Sequence, residues 1–384
     1  MTSAAVISTS AAPDTRSDAL IASFERAGYA RVAPAILQPA EPFLDLSGED
    51  IRKRMYLTTD PQGRELCLRP DLTIPVSCDY LASPAAGKPQ DFCYLGPVFR
   101  HRPEGGGEFL QAGIESFGRE DRAAADAEML ALGLDATRHY GLGAPDIRVG
   151  DVGLFSALVA ALDLAPAWKR RLIKDFNHKT SLAHDLDRLT IGASHARPEY
   201  QGVLAALAGS DPKGAHALVT DLLSIAGITA VGGRSVSEIA DHFLEQAALG
   251  AQASLPRQTR ALIEKFLAIA GDPDEAALKL RAFAREAKIA LDAALDLFES
   301  RTRLLTARGV DVSRIRFSTG FGRGLDYYTG LVFELHDPRA GATGPLVAGG
   351  RYDGLLTRLG SARAISAVGF AVWIERLAAL RGGS

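Results

Sequence analysis

Residues 94–118, YLGPVFRHRPEGGGEFLQAGIESFG, decide the fold that the sequence predicts. Two arms, Tyr94–His101 and Glu108–Phe117, carry the aromatic and branched residues that are typical of strands. Glycines and a proline separate the arms and cannot continue a strand. The pattern therefore predicts a long β-hairpin with a glycine-rich tip.

The second arm of this hairpin alternates, because successive residues of a strand point to opposite sides of the sheet. One face carries Phe109, Gln111, Gly113 and Glu115. A glutamine and a glutamate beside a glycine indicate a small polar ligand lying on the sheet. The same residues would also suit the solvated face of a half-exposed sheet, and the pattern alone leaves both interpretations open.

The composition predicts a soluble globular protein. Of the 384 residues, 47% are hydrophobic and 23% are charged, which allows a sizeable core in about two domains. No run approaches the roughly 20 apolar residues of a membrane span. Cys67, Cys78 and Cys93 form no close pair, so we expect neither disulfides nor a zinc site, and we expect a cytoplasmic location. The net charge of −3 argues against nucleic acid as a partner.

The chain divides into three parts by composition. Residues 1–16 are rich in alanine, serine and threonine and are predicted to be a disordered tail. Residues 17–164 and 301–384 hold the strand signals and are predicted to form one discontinuous core. Residues 165–300 are rich in alanine and leucine with helical periodicity, which predicts a helical insertion. Strands joined by hairpins, with helices, indicate the α+β class.

Other elements are predicted on both sides of the hairpin. Helices are predicted over 17–27, 123–140 and 153–162, and strands over 29–37, 55–57, 65–69, 146–149 and 331–335. A turn at Asp60–Gly63 joins the two strands over 55–57 and 65–69. Pro34 interrupts the strand over 29–37, which favours an edge or interface position.

Four segments combine polar residues with glycine or proline. They are Leu68–Thr73, Phe99–Glu115, Arg323–Tyr328 and Ala348–Gly354. Tyrosine offers a ring that packs on an imidazole and a hydroxyl that bonds it, and paired glycines let a backbone approach a ligand closely. Each segment alone would suit an ordinary turn, but four of them in the sheet-forming parts favour a binding site.

Six segments, in order, resemble the signatures of the histidyl-tRNA synthetase catalytic core. They read LRPDLT (68–73), GPVFRH (96–101), QAGIESFG (111–118), RGLDYYTGLVFE (323–334), AGGRYDGL (348–355) and GFAVWIERL (369–377). The resemblance covers most of residues 17–150 and 312–384. It implies a class II aminoacyl-tRNA synthetase core, a mainly antiparallel sheet flanked by helices that dimerises through the region around Pro34.

The resemblance also implies a histidine-binding pocket. Asp71 stands where the family carries a glutamate that binds the α-amino group, and Arg323 matches the arginine of amino-acid activation. An ammonium group needs a carboxylate, and an imidazole N–H needs an acceptor such as Glu115, so the chemistry agrees. The implied histidine-binding residues are Asp71, Thr73, Arg100, Gln111, Glu115, Arg323, Tyr327, Tyr328 and Tyr352.

Departures from the synthetase pattern argue against catalysis. Arg102 replaces a glutamate that helps to fix adenine, and Trp373 replaces a glycine and is expected to occupy space that adenine or ribose needs. Asp71 is one methylene shorter than the usual glutamate. The chain also ends soon after Arg376, where the synthetase continues into an anticodon-binding domain.

A synthetase-like core with an altered nucleotide site and an intact amino-acid pocket resembles the family of ATP phosphoribosyltransferase regulatory subunits. The resemblance implies a non-catalytic subunit without catalytic residues, metal or cofactor. Its implied partners are the short-form catalytic subunit, a second copy of itself, and histidine as the feedback inhibitor of the first step of histidine biosynthesis.

Two other functions remain open. A truncated enzyme that activates histidine with ATP is one, because Arg100, Arg323 and Arg376 are present. An RNA-binding module that uses the basic cluster from Lys169 to His178 is the other, although a solvated helix face explains that cluster as well.

Overall fold

The computed structural model describes most of the chain. The described residues are 15–46, 49–102, 106–176, 182–183, 186–187, 212–225, 257–325, 327–339 and 344–382. The predicted disordered tail therefore lies outside the described residues, except for Thr15 and Arg16, which begin a helix. Much of the predicted insertion and the tip of the predicted hairpin, residues 103–105, also lie outside them.

A mainly antiparallel sheet of nine strands forms the centre of the protein. Among the described strands the order is β1-β5-β6-β12-β11-β10-β7-β9-β8, in which β1-β5 and β7-β9 are parallel pairs and the other pairs are antiparallel. These strands are β1 (Ala30–Arg31), β5 (Gln90–Phe99), β6 (Glu108–Phe117), β7 (Asp146–Asp151), β8 (Ala270–Gly271), β9 (Ile315–Ser318), β10 (Leu331–His336), β11 (Val347–Arg351) and β12 (Ala367–Trp373). The predicted α+β class with a mainly antiparallel sheet is confirmed.

Helices cover the sheet and connect its strands. The described helices are α1 (Thr15–Arg26), α2 (Glu41–Leu46), α3 (Glu49–Arg52), α4 (Thr73–Ala82), α5 (Arg122–His139), α6 (Val152–Ala161), α7 (Pro166–Asp175), α8 (Pro212–Ile225), α9 (Arg257–Leu267), α10 (Pro273–Ala287), α11 (Asp292–Ala307), α12 (Leu355–Arg358) and α13 (Ile374–Ala378). Among the described helices, none is long and apolar enough to cross a membrane.

The predicted hairpin is confirmed as β5 and β6, which pair from Gln90 with Phe117 to Phe99 with Glu108. Its two faces have different roles, as the alternation predicts. Ile114 is fully buried on the face where the ring of Phe370 packs edge-on against Phe24 of α1. The opposite face of β6, with Gln111 and Glu115, is left for polar contacts.

A second, three-stranded sheet has the order β2-β4-β3. Its strands are β2 (Leu37–Pro39), β3 (Tyr56–Thr59) and β4 (Glu65–Leu68). The predicted pair of strands around the turn at Asp60–Gly63 is thus confirmed. The single strand predicted over 29–37 is wrong, because β1 and β2 belong to different sheets. Pro34, which cannot donate a backbone hydrogen bond, lies in the connection between them.

Four buried charged side chains join helices α5 and α11 to the central sheet. Asp126 of α5 contacts Arg301 of α11 at 3.1 Å and Arg351 of β11 at 2.7 Å. Arg301 also contacts Asp151 of β7 at 2.6 Å. All four residues are at most 4% exposed, so the charges compensate one another away from water.

The predicted division into core and insertion stays a prediction. Helix α11 continues from Asp292 to Ala307, so the predicted boundary at residue 300 falls inside one helix. Its Arg301 binds the sheet, whereas much of the chain between 177 and 256 lies outside the described residues.

Candidate functional site

A cavity of about 190 Å³ lies on the polar face of the central sheet, and all nine residues predicted to bind histidine line it. Those residues come from five parts of the chain. They are Asp71 and Thr73 before and in α4, Arg100 after β5, Gln111 and Glu115 in β6, Arg323, Tyr327 and Tyr328 before β10, and Tyr352 after β11.

Small residues in the middle of the sheet create the floor of the cavity. In one row across the strands Glu115 is paired with Gly369, which is paired with Gly350. A Cβ atom on Gly369 would lie within 2 Å of the Glu115 carboxylate, which real contacts do not allow. Because glycine has no Cβ atom, the Glu115 carboxylate fits beside position 369. The space above this part of the sheet is the cavity.

Glu115 is the most heavily bonded acid of the cavity. It is 1% exposed, and its Oε1 accepts hydrogen bonds from Thr73 at 2.7 Å and Tyr94 at 3.1 Å. Its Oε2 accepts one from the hydroxyl of Tyr352. Burial raises the pKa of Glu115 to about 7, although the three hydroxyl donors lower it. A cationic or N–H-bearing ligand would favour the ionised form of this group.

Asp71 is the second acid of the cavity and is held at the start of α4. Its Oδ1 accepts a hydrogen bond from the backbone N–H of Ile74 at 3.1 Å, which satisfies a donor of the first helical turn. Burial raises the pKa of Asp71, and the positive charge of Arg100 opposes this rise. The helix therefore fixes the direction of a carboxylate that the sequence predicts as an ammonium partner.

Three arginines bring positive charge to the same cavity: Arg54, Arg100 and Arg323. Arg100 donates from Nε to the carbonyl of Pro70 at 2.7 Å. Arg323 donates to the hydroxyl of Tyr328 and, from Nε, to Glu334 at 3.2 Å. Guanidinium groups beside two carboxylates form a site that suits a small zwitterion with an additional hydrogen-bonding ring.

The rings of three tyrosines form one wall of the cavity. The ring centroids of Tyr327 and Tyr328 lie 4.9 Å apart, and those of Tyr327 and Tyr352 lie 5.8 Å apart.

The side-chain amide of Gln111 has an unsatisfied oxygen. Its Oε1 atom is buried and accepts no hydrogen bond from the described residues. A buried polar atom of this kind is expected to find its partner in a ligand or in water.

Known proteins resemble this chain in sequence and in fold. The family model described as "Histidyl-tRNA synthetase" matches residues 9–240 and 214–377. An ATP phosphoribosyltransferase regulatory subunit from Mesorhizobium japonicum is 43% identical over 359 residues, which cover 91% of this chain and 93% of the relative. One from Brucella canis is 41% identical over 348 residues, 90% of this chain and 92% of the relative.

The chain belongs to the family of ATP phosphoribosyltransferase regulatory subunits. Two solved structures share its fold. An ATP phosphoribosyltransferase regulatory subunit/histidyl-tRNA synthetase from Bacillus halodurans C has a TM-score of 0.64 and 22% identity over 95% of this chain and 77% of that chain. Histidyl-tRNA synthetase from Nostoc sp. PCC 7120 has a TM-score of 0.60 and 19% identity over 94% and 70%. The predicted class II architecture is confirmed.

Trp373 and Arg102, two residues by which this chain departs from the synthetase pattern, each take part in a cation–aromatic contact. The indole of Trp373 lines the cavity, and the guanidinium of Arg376 lies 5.2 Å from its ring centroid and donates to the carbonyl of Pro345. Arg102 stacks 3.8 Å from the centroid of Phe109. These cations thus pack on aromatic rings of the protein itself.

Several residues in the cavity, or bonded to residues that line it, could not be identified from the sequence. Ile51 and Arg54 come from the segment before β3, where the run Arg52-Lys53-Arg54 shows no pattern that would distinguish a cavity residue from a solvated one. Tyr94 bonds Glu115 from the neighbouring strand, and only the register of the hairpin shows this. Gly369 belongs to the segment GFAVWIERL, but the strand pairing is needed to show that it makes room for Glu115.

The basic cluster from Lys169 to His178 is partly neutralised. Arg171 forms an ion pair with Asp175 at 2.6 Å, and Lys169 donates to the carbonyl of Ala160 at 2.7 Å. His178 lies outside the described residues. The structure therefore adds no support to the RNA-binding interpretation.

Proposed function

We propose that this protein binds free histidine in the cavity on its central sheet and conveys the occupancy of that cavity to the short-form catalytic subunit of ATP phosphoribosyltransferase. Under this proposal the protein takes part in the first step of histidine biosynthesis without carrying a catalytic residue, a metal or a cofactor. Membership in the regulatory-subunit family supports the proposal. So does the chemistry of the cavity.

Each polar group of histidine has a counterpart in the cavity. The carboxylates of Asp71 and Glu115 suit the α-ammonium group and an imidazole N–H. Arg100 and Arg323 suit the α-carboxylate, and the tyrosine rings suit the faces of the imidazole. The observation that carries the proposal is the convergence of both acids, the arginines and the unsatisfied Gln111 on one small cavity.

The test is an activity series with the reconstituted complex. Phosphoribosyl-ATP formation is measured against histidine concentration, and each complex is normalised to its own rate without histidine. Tyr328→Ala removes a ring that packs on Tyr327 and a hydroxyl that bonds Arg323, so we expect half-inhibition to need a several-fold higher histidine concentration. A coupling of about 1–3 kcal/mol corresponds to roughly a five- to 150-fold change in apparent affinity.

The control for this series is Glu108→Ala, because the Glu108 side chain is exposed and does not line the cavity. Inhibition of the Tyr328→Ala complex at the same histidine concentration as the parent would contradict sensing by this cavity. The role of the protein would then be that of an assembly scaffold.

The alternative function is amino-acid activation with ATP, and the arginines that synthetases use are its support. Arg376, however, packs on Trp373 and bonds Pro345, and Arg102 packs on Phe109. Because these groups are engaged within the protein, we expect no histidine-dependent exchange of pyrophosphate into ATP. Exchange above that of an Arg323→Ala variant would establish the enzymatic function and overturn the regulatory one.

We also propose that the protein dimerises through its three-stranded sheet. Ile36, Leu37, Tyr56 and Leu57 on or beside this sheet are between 37% and 49% exposed. Large apolar side chains that are exposed along the strands of one small sheet indicate a protein interface. Light scattering on the isolated protein measures this directly, and a monomer at micromolar concentration would contradict it.

We also propose that the protein is located in the cytoplasm. Its three cysteines, Cys67, Cys78 and Cys93, are all free thiols, as expected in a reducing compartment. Cell fractionation followed by immunodetection tests this, and recovery from an extracytoplasmic fraction would contradict it.

A further inference from the structure

Arg323 is held by residues outside the predicted histidine-binding set. Its Nε donates to Oε1 of Glu334 at 3.2 Å, and the other carboxylate oxygen of Glu334 contacts Nε2 of His336 at 3.0 Å. The side chains of all three are less than one-fifth exposed. A chain of polar contacts therefore runs from the cavity to two residues of β10.

The strand register explains why this chain reaches the cavity. Glu334 is paired with Ala348, and Ala348 with Ala371, so Glu334 lies on the cavity face beyond a floor of small residues. On its other side Glu334 is paired with Arg148. Arg148 contacts Asp146 at 3.1 Å, and Asp146 also contacts Arg316. Arg148 and Arg316 therefore share Asp146 as an acidic partner.

Glu334 carries a negative charge at neutral pH. Burial raises its pKa, but the hydrogen bond with His336 and the charge of Arg323 outweigh burial and hold the pKa below its ordinary value. An ionised carboxylate on Nε, together with the hydroxyl of Tyr328 on Nη1, fixes the plane of the guanidinium. Arg323 makes no further hydrogen bond to the residues that the structure describes, so its remaining N–H donors can bond a ligand.

We propose that Glu334 and His336 are positioning residues that aim Arg323 at the carboxylate of the bound ligand. This inference rests on the proposed histidine-binding function. A long side chain loses rotamer freedom when it is ordered, and a partner that orders it beforehand removes this cost from binding. Glu334 orders Arg323, and His336 orders Glu334. Neither residue is proposed to touch the ligand.

A pair of ligands separates this role from a merely structural one. Histidinol carries a CH2OH group where histidine carries its carboxylate, and the two ligands are otherwise alike. Damage to the cavity as a whole would weaken both ligands equally. Misplacement of Arg323 would weaken histidine more than histidinol, because only histidine presents a charged partner to the guanidinium.

The experiment is calorimetric titration of the full chain with each ligand, for the parent and four variants. We expect Glu334→Gln to reduce the preference for histidine over histidinol by roughly tenfold, as for loss of a charge-assisted contact. His336→Gln is expected to reduce it by a smaller factor. Glu334→Asp, which keeps the charge, should restore part of the preference. Arg148→Gln, on the adjacent strand opposite Glu334, is the matched control and should leave the preference unchanged.

Three outcomes count against the inference. If Glu334→Gln bound both ligands with the parent affinities, the inference would be overturned, and the proposal that the cavity binds histidine would stand. Equal weakening of both ligands would assign Glu334 to packing and would overturn it as well. A folded parent that binds neither ligand would overturn the proposed function, and the inference with it.

Discussion

Replacement of Glu115 by alanine is expected to weaken histidine binding about ten- to a hundredfold. The carboxylate is 1% exposed and lies at the centre of three hydroxyl donors, which hold it at a fixed place on the sheet. Loss of a charge-assisted hydrogen bond in such a site costs about 1.5–3 kcal/mol, which corresponds to that change in affinity. Calorimetric titration with histidine measures it.

Glu108→Ala is the matched control for Glu115→Ala. Glu108 begins the same strand but is exposed and does not line the cavity. We expect its affinity for histidine to equal that of the parent. If Glu115→Ala also bound histidine with the parent affinity, the histidine site would lie elsewhere in the protein, and the proposed assignment of this cavity would be wrong.

Replacement of Asp126 by alanine is expected to lower the free energy of unfolding strongly. Asp126 contacts both Arg301 and Arg351 and is fully buried, so its loss leaves two buried cations with too little negative charge. Removing one partner of a buried ion pair costs about 3–5 kcal/mol. Chemical denaturation followed by circular dichroism gives the free energy of unfolding.

Asp135→Ala provides the comparison on the same helix. Asp135 forms an ion pair with Arg138 at 2.6 Å, but both side chains are more than half exposed. Solvent screens such a pair, so we expect little change in the free energy of unfolding. Similar destabilisation by both substitutions would contradict a special role for the buried charges that join α5, α11 and the sheet.

The sequence was sufficient for the features that depend on local pattern. The alternation along residues 108–117 predicted which side chains share a face, and the turn at Asp60–Gly63 predicted the hairpin of β3 and β4. The nine candidate residues came from the family resemblance, and the structure brings all of them to one cavity. Binding of histidine by these residues stays a prediction.

Features that depend on strand order could not be read from the chain. The pairing of Glu334 with Ala348, which brings its carboxylate to the cavity face, requires knowing that β10 and β11 are neighbours. The sequence also does not show that β1 belongs to the nine-stranded sheet and β2 to the three-stranded sheet. Arg54 reaches the cavity because of the path of the chain before β3, which no periodicity records.

The position of β12 between β6 and β11 has a consequence for how the protein is made. Glu115 emerges from the ribosome long before Gly369, which must lie beside it in the folded sheet. Until then one edge of β6 has no partner, and exposed strand edges favour aggregation. A nascent chain interrupted before residue 373 cannot form the floor of the cavity. The cavity can therefore form only after β12 has been synthesised.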